Sequence, residues 1–165
     1  MKTHPLLALV GTSLAAALFL GGTACRSSRT EHQRLLIEKY AAYWNTGEAD
    51  GAAAVLHPDF EIRYCMEGFQ PSSVKGIEAF RKEMARVHAQ SLALVVDEAV
   101  YGIDTITLRW TFHATYPDGA GGAPMTAQAK GISLIHLKDG RIADEWMAYD
   151  RKSLMEERGY EMKRK

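Results

Sequence analysis

"GISLIHLKDGRIADEWMAYD", Gly131 to Asp150, is the stretch on which the fold turns. Two alternating runs flank Lys138-Asp139-Gly140, and an Asp-Gly pair between such runs is a strong hairpin signal. The first run reaches back to Met125 in "MTAQAKGISLIHL", so the pattern predicts a strand over 125–137 and its partner over 141–150. On the second strand, a period of two sets Ala143, Glu145, Met147 and Tyr149 on one face. Ile142, Asp144, Trp146 and Ala148 fall on the other. Hydrophobicity favours turning Ile142 and Trp146 inward.

Upstream the same alternation continues. "SLALVV" reads as a strand. "TITLRWTFHATY" reads as another, with Ile106, Leu108, Trp110 and Phe112 on one face and Thr107, Arg109, Thr111 and His113 on the other. "PDGAGGAP", dense in turn formers, links it to Met125. "FEIRYCM" alternates as well. Helical spacing dominates the N-terminal half. Leu36, Tyr40, Tyr43 and Trp44 form a stripe over 31–45, ended at Gly47. "EADGAAAVL" reads as a short second helix broken by "HPDF", with His57 in a loop. Ile77, Phe80, Met84 and Val87 mark a third helix, with Glu78 and Lys82 spaced as an i,i+4 pair. "DRKSLMEERG" closes as a short helix capped by Asp150. Helices ahead of antiparallel strands make an α+β domain. A long sheet that buries one face under three helices must curve, and the hollow this leaves is a usual small-molecule site.

The ends read differently. "MKTHP" is followed by an uncharged apolar run from Leu6 to Ala24 and then Cys25. A basic start, an apolar core and small residues before a cut describe a secretory signal over 1–24. With Cys25 after the cut, the signal resembles the bacterial lipoprotein type, in which that cysteine is lipidated. Ordinary cleavage at the same bond and a retained anchor are the alternatives. Each places the folded part outside the cytoplasm, and lipidation adds attachment to a membrane of the cell envelope. Residues 25–34 read as a polar tether, 35–160 as the domain and 161–165 as a charged tail. Cys65 is then alone and reads as a buried or half-buried filler, with no disulfide framework.

Twenty basic and twenty acidic residues give zero net charge. With no basic stripe and no nucleic-acid motif, this excludes a nucleic-acid partner. No Gly-rich phosphate loop and no zinc spacing appear, so neither cofactor nor metal is expected.

The order of elements, with "RWTFHATY" and then "GISLIHLKDGRIADEWMAYDRKSLMEERG", resembles the SnoaL-like polyketide cyclases of the nuclear-transport-factor-two-like superfamily. The resemblance spans roughly 35–159 and rests on Gly131, Asp139, Gly140, Ile142, Glu145, Trp146, Asp150 and Gly159. It implies a cone-shaped curved antiparallel sheet packed on three N-terminal helices, and it would turn Ala143, Glu145, Met147 and Tyr149 inward. A bulge would reconcile that with the inward turn that hydrophobicity favours for Ile142 and Trp146. The resemblance also implies homodimers formed through the outer sheet surface. In the ring-closing cyclases an aspartate acting as acid and base follows the tryptophan. Here Met147 stands there, and a thioether moves no proton. Relatives often have a histidine where Tyr116 stands.

Glu145 is therefore the nearest acid/base candidate on the last strand, although a strand glutamate is ordinarily solvent-exposed. His136 shares parity with Ile132 and Leu134 and is the second candidate, against the ordinary reading of a hydrogen-bonded core histidine. His113 and Arg109 point outward if Trp110 points in. Trp44, Tyr64, Trp110, Met147 and Tyr149 are candidate ligand contacts, with plain core packing as the alternative. Two function classes remain. One is a module holding a small hydrophobic molecule in an apolar pocket, which Met147 favours. The other is a cofactor-free cyclase, isomerase or hydratase using Glu145, His136 and Tyr64.

Overall fold

A computed structural model describes residues 14–65, 73–89, 91–116 and 124–157, with side chains from Ser27 onward except Tyr116. The chain divides into two units, Met1–His32 and Gln33–Lys165. The elements are α1 (Leu14–Thr46), α2 (Ala52–Val55), β1 (Leu56–Tyr64), β2 (Ser73–Lys75), α3 (Ile77–His88), β3 (Leu92–Tyr101), β4 (Thr105–Tyr116), β5 (Met125–Lys138), β6 (Arg141–Tyr149) and α4 (Arg151–Glu157). Residues 25–34, expected as a tether, are helical. Gln33 is buried, and its amide donates to the carbonyls of Gly102 and Ile103 at 3.1 Å each, fastening α1 to the β3–β4 turn. No helix among the described residues is long and apolar enough to cross a membrane. The linker at 117–123 and the tail lie outside the described residues, as does most of the proposed signal.

The strands form one curved, unclosed sheet in the order β2-β1-β6-β5-β4-β3. The α+β architecture is as expected, with one difference in pairing. β1 and β6 run parallel, with Ile62 opposite Glu145 and Tyr64 opposite Met147. A parallel pair needs a long crossover, and here everything from β2 to β5 intervenes. The pairing puts β6 inside the sheet, hydrogen-bonded on both sides.

One sheet face carries the core. Phe60 and Ile62 from β1, Ile106, Leu108, Trp110 and Phe112 from β4, and Ile135 from β5 meet Tyr40 and Trp44 of α1 and Phe80 and Met84 of α3. The Tyr40 ring stacks on Phe80 with centroids 5.7 Å apart. Burying such rings contributes on the order of 1.5–3 kcal/mol each, and their offset contacts add to it.

The parity conflict in β6 is resolved by a bulge. Ile142 faces Leu137, but Asp144 faces His136, so Ala143 has no partner of its own. The extra residue lets Ile142 and Glu145 both turn inward and sends Trp146 out, 45% exposed. Trp146 is thus not a core residue, contrary to what hydrophobicity alone favours.

Smaller expectations also shift. Cys65 is exposed, beyond the last residue of β1, and fills no core space. His57 lies on β1 rather than in a loop and is buried, its Nδ1 accepting the Asp59 N–H at 3.2 Å. Glu78 pairs with Arg81 at 2.7 Å instead of Lys82. Asp150 does cap α4, accepting from the Ser153 N–H at 3.0 Å and the Ser153 hydroxyl at 2.6 Å.

Candidate functional site

Glu145 sits mid-strand on β6, between Ile62 of β1 and Ile135 of β5, and is only 2% exposed. The Tyr40 hydroxyl donates to its Oε2 at 2.5 Å. The Ser133 hydroxyl also approaches the carboxyl and favours its charged form. Ser133 is in turn fixed by Trp110, whose indole N–H donates to its Oγ at 2.9 Å. That reach depends on Gly131. A Cβ there would stand 2.3 Å from two atoms of the Trp110 ring, so the indole can cross β5 only because the position is bare.

Three forces act on the carboxyl. Burial is the largest and pushes its pKa up, because a charge withdrawn from water is costly. The Ser133 and Tyr40 contacts pull it down, and burial prevails. Tyr40 is pushed well above the usual phenol range, first by its own burial and then by the neighbouring Glu145 charge. Of the two groups, Glu145 is therefore the one that gives up its proton first as pH rises. A tunable acid beside a hydroxyl that stays protonated is an arrangement capable of acid/base work.

A second polar cluster lies at the ends of the same strands. The Tyr64 hydroxyl, next to Met147 in register, donates to Glu83 Oε1 at 3.4 Å. Glu83 is buried on α3 and is gripped by Arg86 through two bonds of 2.6 and 2.8 Å. Burial, then the Glu83 and Glu145 charges, push the Tyr64 hydroxyl far above its ordinary range. Tyr64 thus feels both carboxyls, with the half-exposed Arg86 as the cation of the group.

The structure brings most of the anticipated residues together. Glu145, Trp44, Tyr64, Trp110 and Met147 are all buried on the roofed side of the sheet, and Tyr149 is half-buried with its ring 6.0 Å from Trp110. His136 does not join them. Ile132 and Leu134, which share its parity, face outward, and its Nδ1 is 2.7 Å from Asp144 Oδ1 on the partly exposed side. The inward turn expected of His136 fails because the covered face of β5 is the Gly131–Ser133–Ile135 row. Arg109 and His113 are exposed, as follows from an inward Trp110. Tyr40, Ser133 and Glu83 were not singled out from sequence. Ser133 did carry a signal, as a hydroxyl between Gly131 and Ile135 on one strand face.

The family model for the SnoaL-like domain matches residues 37–145. Among solved structures the chain is similar to TsrD from Streptomyces laurentii, at 24% identity and a TM-score of 0.63, covering 78% of this chain and 96% of that one. It is also similar to a provisionally assigned SnoaL-like polyketide cyclase from Shewanella denitrificans, at 9% identity and 0.65, covering 76% and 96%. A third is a protein with a ketosteroid isomerase-like fold from Catenulispora acidiphila, solved with trimethylamine, at 15% identity and 0.62, covering 76% and 93%. Comparison with curated proteins finds no match. At these identities the solved structures speak for the fold alone. With two thirds of its length under the family model and the expected sheet and roof in place, this chain belongs to the SnoaL-like domain family.

Proposed function

We propose that the domain is a cofactor-free enzyme that moves a proton on a small hydrophobic molecule, with Glu145 as the acid and base. The observation that supports this is a carboxyl 2% exposed, in an aromatic interior, within reach of two hydroxyls. A buried carboxyl is costly to a fold, and packing alone asks only for an apolar side chain of similar size. The polyketide cyclase and isomerase-like neighbours share this scaffold. The test is deuterium exchange from D2O into the α-carbon of a panel of hydrophobic ketones. Wild type should catalyse exchange, and Glu145→Gln should lose about 100-fold or more, as befits a proton-transfer group. Ketones that bind but do not exchange would overturn the proposal. Holding without turnover is the second reading, favoured by Met147 lying two residues along the same inward face.

The proposal extends to location. The apolar run before Cys25 supports export with a lipid on that cysteine, and thus attachment to a membrane of the cell envelope. The exposed Ile132, Leu134 and Trp146 on the outer face of the sheet support pairing of two copies.

A further inference from the structure

Trp44 is 2% exposed, and its indole N–H has no hydrogen-bond acceptor among the described residues. An unmet buried donor costs roughly 1–3 kcal/mol and requires an explanation. Its position suggests one. Trp44 follows Tyr40 by one helical turn on the buried face of α1, and the two rings lie edge to face with centroids 6.4 Å apart. The indole N–H approaches the Tyr40 oxygen closely enough to favour its phenolate, but falls short of hydrogen-bond geometry. The Tyr40 proton is already committed to Glu145. A second donor therefore stands unspent beside Tyr40, the residue that holds the Glu145 carboxyl.

We infer that Trp44 is an oxygen-binding residue of the site, whose N–H receives the carbonyl or enolate oxygen of a ketone, enol or phenol lying against the Tyr40–Glu145 pair. The inference rests on the acid/base reading of Glu145 and deepens it. In the step it implies, ionised Glu145 takes a proton from the carbon next to the carbonyl. The C–H electron pair forms the new C=C bond, and the carbonyl π pair moves onto oxygen. That oxygen is held by the Trp44 N–H until the carboxylic acid returns its proton to carbon. No oxidant, metal or cofactor enters. A donor aimed at an oxygen that gains charge accelerates such a step, because the interaction strengthens toward the transition state.

Phenols test this directly, since a bound phenolate presents the same oxygen without reacting. The full chain, labelled with 15N at its three tryptophans, is titrated with 2-naphthol and 4-nitrophenol. The Trp44 indole N–H resonance should move downfield on binding, while that of Trp110, already held by Ser133, stays in place. Trp44→Phe should weaken phenol binding roughly tenfold or more, the factor that one hydrogen bond to a charged oxygen supplies. Assignment can come from Trp110→Phe and Trp146→Phe, so the shift is read on wild type whether or not Trp44→Phe folds. A phenol that binds without moving the Trp44 resonance overturns the inference. So does a resonance held by a buried water, or one shifted upfield over a neighbouring ring and unmoved by ligand. In those cases ketone exchange that still depends on Glu145 leaves the acid/base reading standing. No phenol binding at millimolar concentration overturns the Trp44 role, and absence of ketone exchange overturns the reading beneath it.

Discussion

At the scale of a residue, the buried carboxyl of Glu145 is a cost to the fold that varies with pH. Burial raises the native pKa above the ordinary glutamate value of 4.5, so the native state binds the proton more tightly than the unfolded chain. The contribution to stability is then complete below about pH 4.5 and is lost as pH climbs to the raised native value. Across that window, unfolding free energy should fall with a limiting slope of about 1.4 kcal/mol per pH unit. Glu145→Gln should remove this slope, so that the difference between wild type and variant narrows or reverses toward neutral pH. Urea titrations at a series of pH values measure it, and parallel pH profiles for the two proteins would refute the assignment. Glu145 was legible in the sequence as a candidate, and its burial was not. The partner that defines it, Tyr40, is 105 positions away, and alternation within one strand says nothing about which helix residue arrives above it.

At the scale of an element, the bulge in β6 decides what faces the interior. Ala143 is the extra residue between Ile142 and Asp144. Deleting it leaves a plain alternation in which Ile142, Glu145, Met147 and Tyr149 still point inward. That variant should fold, with a loss of no more than about 1–3 kcal/mol. Deleting Ala143 and Asp144 together inverts the rest of the strand, bringing Trp146 in and turning Glu145 and Met147 out. Its loss should exceed the single deletion by several kcal/mol or abolish folding. Chemical denaturation of the pair decides, and equal damage from both deletions would show that parity is not what the bulge protects. The same element shows how far sequence reading reaches. The β5–β6 hairpin, the inward row of β4 and the stripes of α1 and α3 follow from period and turn chemistry alone, because each is a local pattern. The parallel pairing of β1 with β6 is set by which strands meet after about eighty residues of intervening chain, and no local period records that. The inward turn expected of His136 failed for a related reason. Its strand neighbours Ile132 and Leu134 are apolar, yet they belong to the outer face.

At the scale of the whole molecule, two proposals concern what surrounds the domain. If Cys25 carries a lipid, Cys25→Ser expressed in a bacterial host should move the protein from the membrane to the soluble fraction, and unchanged fractionation would end that proposal. The second concerns the outer face of the sheet. Leu134 and Trp146 are paired across β5 and β6, Ile132 lies one step along, and all three are exposed, at 41%, 45% and 58%. The Arg63 guanidinium lies 5.0 Å from the Trp146 ring centroid, and the His136–Asp144 pair borders the patch. An apolar strip with a guanidinium and carboxylates at its rim suits a copy of itself, because across a twofold axis each contact is made twice, so that Arg63 of one copy can meet a carboxylate of the other while the apolar side chains are covered. Trp146→Glu would put a carboxylate of each copy into the covered strip in place of an indole. Sedimentation should show wild type as a dimer at micromolar concentration and the variant as a monomer. Ketone exchange should persist in the variant, because Trp146 points away from Glu145. A monomeric wild type would leave the strip without its second copy. A monomeric variant that also loses exchange would mean that the roofed interior depends on pairing, and that the outer and inner faces of the sheet are coupled through β6.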